Sequence, residues 1–300
     1  MRKIKLVMIF SIFCLIIAMA PTFAMDNDTA IGVQNDTIIG ADYYFDANIE
    51  SDTGTGSMYN PYKELDTKRI PDNSIVHLAD GEYTLKGSKS YSNLSIIGEN
   101  PTKTIVKYYD AVGFTSNGLI TLKDVSFVDL RVNVNSNANL NAINTIFSGS
   151  SGSNSVIYSQ SGPSTVTLDN CTFSQNSAKL GGAVYLNEGN LNIKNSLFTD
   201  NYAEDSGGAI YCDNVSVSIS NTKFINNRAL NDAGGAIYSL HSEIMAKKVE
   251  FINCSASFGG ALTSLSSDLN LNNVIAKHNR AKYYGGAIFK MYTSFELSNS

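Results

Sequence analysis

From Val166 onward the chain repeats a short alternation of apolar and polar positions. Apolar pairs separated by one residue occur at Val166/Leu168, Leu191/Ile193, Val217/Ile219, Ile244/Ala246, Leu269/Leu271 and Phe295/Leu297. This is the period of a strand with one buried face, not of a helix. Two residues after each pair stands Asn170, Asn195, Asn221, Lys248, Asn273 or Asn299. The register extends backwards, more weakly, through Leu140/Ala142, Ile120/Leu122, Leu94/Ile96 and Val76/Leu78, at irregular spacings of 18 to 26 residues.

Two further motifs keep step with these pairs. Gly-Gly-Ala-(Ile/Val/Leu) begins at Gly181, Gly207, Gly234, Gly259 and Gly285, at intervals of 26, 27, 25 and 26 residues. Each is preceded by Phe-x-x-Asn-x-Ala, as Phe173/Asn176/Ala178, Phe198/Asn201/Ala203 and Phe224/Asn227/Ala229. Later copies drift: Cys254 takes the Asn position after Phe251, and Ala276 replaces Phe before Asn279 and Ala281. Repetition at this period marks a solenoid. The strands are too short and too far apart for hairpins, and no helix separates them. The pattern predicts an all-β, right-handed parallel β-helix with one coil of 25–27 residues per repeat. Ten coils rising by about 4.8 Å each would stack to roughly 45–50 Å.

The repeat assigns structural roles. The column Val184, Ile210, Ile237, Leu262 and Ile288 is expected to point inward. Phe147, Phe173, Phe198, Phe224 and Phe251 should fill the core at a corner. The pairs Gly181-Gly182, Gly207-Gly208, Gly234-Gly235, Gly259-Gly260 and Gly285-Gly286 suit a sharp bend with positive φ and close backbone approach. The Asn columns, among them Asn170, Asn195, Asn221 and Asn273, suit left-handed corners with amides stacked from coil to coil.

The ends read differently. Arg2, Lys3 and Lys5, the apolar run Leu6 to Ala20, and Thr22-Phe23-Ala24 make residues 1–24 a secretory signal peptide, with cleavage expected after Ala24. Residues 25–41 are expected to be a flexible mature N-terminus and 42–75 an N-terminal cap, with Asn60-Pro61-Tyr62 opening a short helix. Residues 76–300 form the repeats. The chain stops at Ser300 just after Phe295, Leu297 and Asn299 begin another coil. The C-terminus is therefore expected to be open or truncated, with continuation into missing domains.

Composition narrows the function classes. The 300 residues include 33 Asn, 36 Ser, 23 Gly and no Trp, with 16% charged and a net charge of −5. That balance lacks the footprint of a nucleic-acid binder. No second segment is long enough to span a bilayer as a helix. Three cysteines remain after cleavage, Cys171, Cys212 and Cys254. An odd number in a secreted chain argues for buried free thiols rather than a disulfide framework. Asn27, Asn35, Asn93, Asn170, Asn214 and Asn253 begin N-x-S/T sequons, which chance supplies readily in so Asn- and Ser-rich a chain.

Gly207-Gly208-Ala209-Ile210-Tyr211 and Phe224-Ile225-Asn226-Asn227 resemble the polymorphic outer membrane protein repeat, also found in adhesin-like surface proteins of methanogenic archaea. The stretch from Tyr43 through Asn60-Pro61-Tyr62 to Asp80-Gly81-Glu82-Tyr83 resembles the opening of pectate-lyase-like β-helix domains. The resemblance covers about residues 42–300. It implies a secreted or cell-surface adhesin-like protein, non-catalytic, attaching to cells, glycans, matrix or extracellular proteins through a β-helical face.

The candidate binding feature is the column Tyr185, Tyr211, Tyr238, Thr263 and Phe289, which strand alternation puts outward. Its rings are placed either to stack on sugars or a partner protein, or to stack on one another and stabilise the ladder. The alternative function is a polysaccharide lyase or glycoside hydrolase on the same fold. A hydrolase needs two carboxylates across a groove, and a lyase needs a base and commonly Ca²⁺. The residues available are Asp200, Glu204, Asp205 and Asp232, with Lys223 or Arg228 as base. Asp205 and Asp232, each two residues before a Gly pair, are the one candidate Ca²⁺ pair. No other cofactor is expected. His77, His241 and His278 fall at different coil positions and suggest no dyad. Residues 110–160, the least regular, are where a groove is expected if one exists, with Phe147 to Asn154 as a flexible loop.

Overall fold

The computed structural model describes residues 40–108 and 112–300, with Val112 described by its backbone alone. The signal-peptide reading of residues 1–24, most of the expected mature N-terminus, and the sequons at Asn27 and Asn35 fall outside these residues. The described chain is an all-β parallel solenoid with turns of about 26 residues. A 3-10 turn at Thr67–Arg69 is the helical element among the described residues.

The main ladder runs through the predicted pairs. Leu94 faces Ile120, Ile120 faces Leu140, and Leu140 faces Val166. Leu191, Val217, Ile244, Leu269 and Phe295 continue the column. One early register is different. Val76 pairs with Ile96, and Ser74 rather than Val76 faces Leu94. A slip of two residues leaves the same side chains facing inward, so apolar alternation cannot separate the two registers. Leu78 instead lies opposite Gly98. A further strand, Ala41–Phe45, pairs in parallel with Ser74–Leu78, within the stretch read as a cap.

The Phe column forms a stack inside the coils. Phe147, Phe173, Phe198, Phe224 and Phe251 are fully buried, with successive ring centroids 4.8, 4.8, 4.9 and 5.1 Å apart. Coil spacing sets that distance, since equivalent residues of neighbouring parallel strands stand about 4.8 Å apart. Ala276 occupies the next position, opposite Phe251. The stack also extends back to Phe127, which the repeat motif does not mark.

Corners are made by residues with positive φ. Asp124, Asn144, Asn170, Asn195, Asn221, Lys248, Asn273 and Asn299 form one such column. Some of these side chains bond along the stack, as from Asn170 Nδ2 to Asn144 Oδ1 at 3.0 Å and from Asn144 Nδ2 to Asp124 Oδ1 at 2.6 Å. At the second corner the expectation shifts by one residue. The left-handed positions are Gln175, Asp200, Asn226, Asn253 and His278, and the Asn of Phe-x-x-Asn follows them. Asn176, Asn201 and Asn227 turn inward and are fully buried. Buried amides must be bonded, and each Nδ2 donates to the Phe carbonyl of the preceding coil: Phe147, Phe173 and Phe198, at 3.1, 3.0 and 2.8 Å.

The glycine pairs divide the work between two causes. Gly207 needs its φ of +68°. Gly208 does not have positive φ, but a Cβ there would lie 2.1 Å from the carbonyl oxygen of Gly235 on the next coil. Several charges meet opposite charges one coil away: Lys107–Glu82 at 2.7 Å, Lys223–Glu250 at 2.9 Å and Lys194–Asp169 at 3.6 Å.

Candidate binding surface

The tyrosine column is a stacked ladder on the side of the coils. Val184, Ile210 and Ile237 point inward and are fully buried, so alternation turns Tyr185, Tyr211 and Tyr238 away from the core. The three rings are half-buried. Centroids lie 5.2 Å apart from Tyr185 to Tyr211 and 5.0 Å from Tyr211 to Tyr238, at interplanar angles of 6° and 11°. Tyr158 extends the ladder, 5.0 Å from Tyr185. It lacks the Gly-Gly-Ala motif that located the others, but Ile157-Tyr158-Ser159 repeats the wording of Ile237-Tyr238-Ser239. Burial among neighbours is the main cause that raises the phenol pKa of Tyr158, Tyr185, Tyr211 and Tyr238.

This geometry decides what the ladder presents. Ring faces are occupied by the next ring, so the edges and hydroxyls are what remain for a ligand. The column also breaks after Tyr238. Thr263 is 1% exposed and donates its hydroxyl to the Phe258 carbonyl at 3.0 Å. Phe258 packs against Phe289 at 5.6 Å, so Phe289 belongs to a separate aromatic group.

Three of the acidic candidates, Asp200, Asp205 and Asp232, are engaged singly. The Asp232 backbone N–H donates to the Asp205 carbonyl at 3.2 Å, which places the two on adjacent coils. Their carboxylates have other partners: Ser206 Oγ donates to Asp232 Oδ2 at 2.7 Å, and Lys179 lies 4.0 Å from Asp205. Asp200 accepts from Thr199 Oγ1 at 2.7 Å and Asn226 Nδ2 at 3.0 Å, as a corner residue. Lys223 pairs with Glu250. Glu204 and Arg228 are exposed. Among the described residues, no group of three or more His, Cys, Asp or Glu is gathered as a metal site.

The histidines are dispersed. His77 Nε2 lies 2.9 Å from Asp42 Oδ1, with its ring stacked on Tyr44 at 4.5 Å. His241 Nδ1 lies 3.1 Å from Asp213 Oδ1. His278 is a left-handed corner residue. Two shallow notches lie away from the stretch 110–160. A notch of about 270 Å³ is lined by His241, Glu243, Asp268 and Tyr292 among others, and one of about 320 Å³ by Glu243, Asp268 and Glu296 among others. Strands continue at Arg131–Val134, Asn139–Ile143 and Ile146–Ser148, within the stretch where a groove was expected. Among the described residues the thiols of Cys171, Cys212 and Cys254 are free and buried.

Three stretches, residues 170–187, 195–213 and 221–240, match the Chlamydia polymorphic membrane protein (Chlamydia_PMP) repeat. Each begins on a left-handed corner asparagine and contains the buried Phe, the inward Asn and the glycine bend of one coil. No curated protein and no solved structure matches the chain significantly.

Proposed function

We propose that this chain, a β-helix repeat protein of the polymorphic membrane protein type, attaches to cells, glycans or matrix through a lateral face of its stack and is not an enzyme. Repeats of this type point to a surface-exposed, adhesin-type protein. They are associated with outer-membrane or surface proteins. Among the described residues no helix is long and apolar enough to cross a membrane.

The observation that carries the reading is the arrangement of the chemistry-bearing side chains. Asp200, Asp205, Asp232 and Lys223 are each tied into the coil-to-coil lattice of hydrogen bonds and ion pairs. Side chains ordered as ladders along a surface suit an extended contact, whereas acid–base catalysis needs two or more groups converging on one reacting atom.

The test is a cell, matrix and glycan array probed with the mature protein, beside a polygalacturonate cleavage assay. Retention on cells or glycans without cleavage is expected. Turnover at enzyme-like rates would sink the adhesin reading in favour of a lyase or hydrolase. In the same array Tyr185→Ser/Tyr211→Ser/Tyr238→Ser reports whether the tyrosine edges take part.

A further inference from the structure

The main ladder carries a second surface, distinct from the tyrosines. The outward positions on four successive coils read Asn139-x-Asn141, Thr165-x-Thr167, Asn190-x-Asn192 and Ser216-x-Ser218. Their registers are continuous: Asn139, Thr165, Asn190 and Ser216 face one another in turn, as do Asn141, Thr167, Asn192 and Ser218. The result is two parallel columns of amides and hydroxyls. Coils repeat at about 4.8 Å, and the columns stand about 6.6 Å apart along the strand.

Two properties characterise this grid. First, none of its eight side chains is buried, and none makes a hydrogen bond to another of the described residues. The corner asparagines behave in the opposite way, bonding along the stack from coil to coil. Second, no member carries a charge. The next outward position holds Asp169 and Lys194, paired with each other at 3.6 Å. Beyond Ser216 and Ser218 the pattern stops, and Glu243 and Met245 take the two columns.

We propose that this grid binds a neutral polysaccharide laid along the stack. The inference rests on the adhesin reading and names its ligand class and face. Amides and hydroxyls both donate and accept, as sugar hydroxyls do, so each contact exchanges hydrogen bonds to water for equivalent bonds to the ligand. A single exchange gains little; a polymer whose sugar units recur at about the coil spacing makes several at once. The absence of charge on the grid, and the net negative charge of the chain, disfavour a polyanion such as a uronate polymer.

The experiment is co-sedimentation of the protein with insoluble cellulose, chitin and mannan, with polygalacturonate gel as the anionic control, at 0.15 M and 1 M NaCl. The wild type is expected to bind at least one neutral polymer with less than a twofold change between the two salt concentrations. Thr167→Ala/Asn192→Ala/Ser218→Ala should weaken that binding at least tenfold with the β-sheet circular dichroism retained. Asn192→Asp, which keeps size and adds charge, is a second variant and should also weaken it, whether or not the triple variant folds. Unchanged binding by folded grid variants, loss in the tyrosine variant alone, or binding only to polygalacturonate overturns the proposal. Failure to bind any neutral polymer, with cells or matrix proteins still bound, overturns it and leaves the adhesin reading standing. Binding to nothing on the array defeats both.

Discussion

Asn201 Nδ2 donates to Asn227 Oδ1 at 3.0 Å inside the solenoid, with both side chains fully buried. The same Nδ2 donates to the Phe173 carbonyl at 3.0 Å, and Asn201 Oδ1 accepts from the Asn176 backbone N–H at 3.2 Å. One amide thus ties three coils together. Asn201→Ala removes partners from both the Asn176 N–H and the Phe173 carbonyl. An unsatisfied buried group costs about 1–3 kcal/mol, so a loss of about 3 kcal/mol is expected, read as a lower urea midpoint at unchanged slope.

Gly208 predicts a different failure. Its Cβ position is blocked by backbone, the carbonyl oxygen of Gly235 at 2.1 Å and Arg228 atoms at 2.6 Å. Backbone held in a parallel ladder cannot rotate away as a side chain can. Gly208→Ala should force neighbouring coils apart and leave little soluble protein. Gly149→Ala is the comparison. There the nearest atom is Val128 Cγ1 at 3.9 Å, and only the φ of +71° is unfavourable. That variant should fold, at a cost of about 1–2 kcal/mol. Soluble yield and melting temperature of the pair separate clash from strain.

The ladder of large rings gives the next prediction. Phe224 stacks between Phe198 and Phe251 at 4.9 and 5.1 Å. Phe224→Ala leaves a ring-sized void between coils that cannot approach further, because the strand hydrogen bonds fix their separation. The expected cost is about 3–5 kcal/mol. Phe224→Leu, which refills most of the volume, should recover more than half of it in the same denaturation experiment.

These sites differ in how far they could be read in advance. The inward columns and the glycine bends were legible because they recur in both residue type and spacing. The register at Val76 was not, since Val76/Leu78 and Ser74/Val76 satisfy the same alternation. Nor was the inward turn of Asn201. Its neighbour Asp200 carries the positive φ, and an Asn suits either a left-handed corner or an internal amide ladder. Tyr185, Tyr211 and Tyr238 lie on the side opposite Ile210, whereas Thr263, expected in the same outward column, is buried. That the tyrosine ring faces are filled by one another depends on ring orientation, which spacing does not encode. The hydroxyl and amide grid escaped because Thr, Asn and Ser substitute for one another, so no single-letter motif marks it.

Burial of the thiols gives the chain a pH dependence. The Cys171 and Cys212 pKa values are pushed up to about 12 and that of Cys254 to about 11, from an ordinary 9.0, chiefly by desolvation. The neutral thiol is therefore favoured in the fold, and its stabilising contribution is complete below pH 9. It is lost as pH rises from about 9 toward 12, where the unfolded chain releases protons that the fold retains. Each thiol contributes a slope of about 1.4 kcal/mol per pH unit within that window. Urea midpoints should be level from pH 6 to 8 and fall above 9, with a shallower fall in Cys212→Ala. Peptide mapping after iodoacetamide at pH 8 should find all three cysteines unmodified until denaturant is added.

Cys254 offers a gain rather than a loss. It stands where the ladder calls for asparagine, between Asn227 and Asn279. Its thiol donates to the Phe224 carbonyl at 3.6 Å, where Asn227 and Asn279 make the equivalent bonds to Phe198 and Phe251 at 2.8 and 2.9 Å. A thiol is a weak donor and a weak acceptor. Cys254→Asn restores an amide of the right length, with an oxygen for the Asn227 N–H and Nδ2 and a nitrogen for the Phe224 carbonyl. The side chain is larger, but the same backbone position accommodates asparagine on the coils to either side. Stability should rise by about 1 kcal/mol. Cys254→Ala, which supplies neither donor nor acceptor, should fall by a similar or greater amount. Opposite shifts of the urea midpoint for the two variants would establish that the amide ladder, and not mere volume, is what this column contributes. Equal losses in both would show that the site is fitted to sulfur.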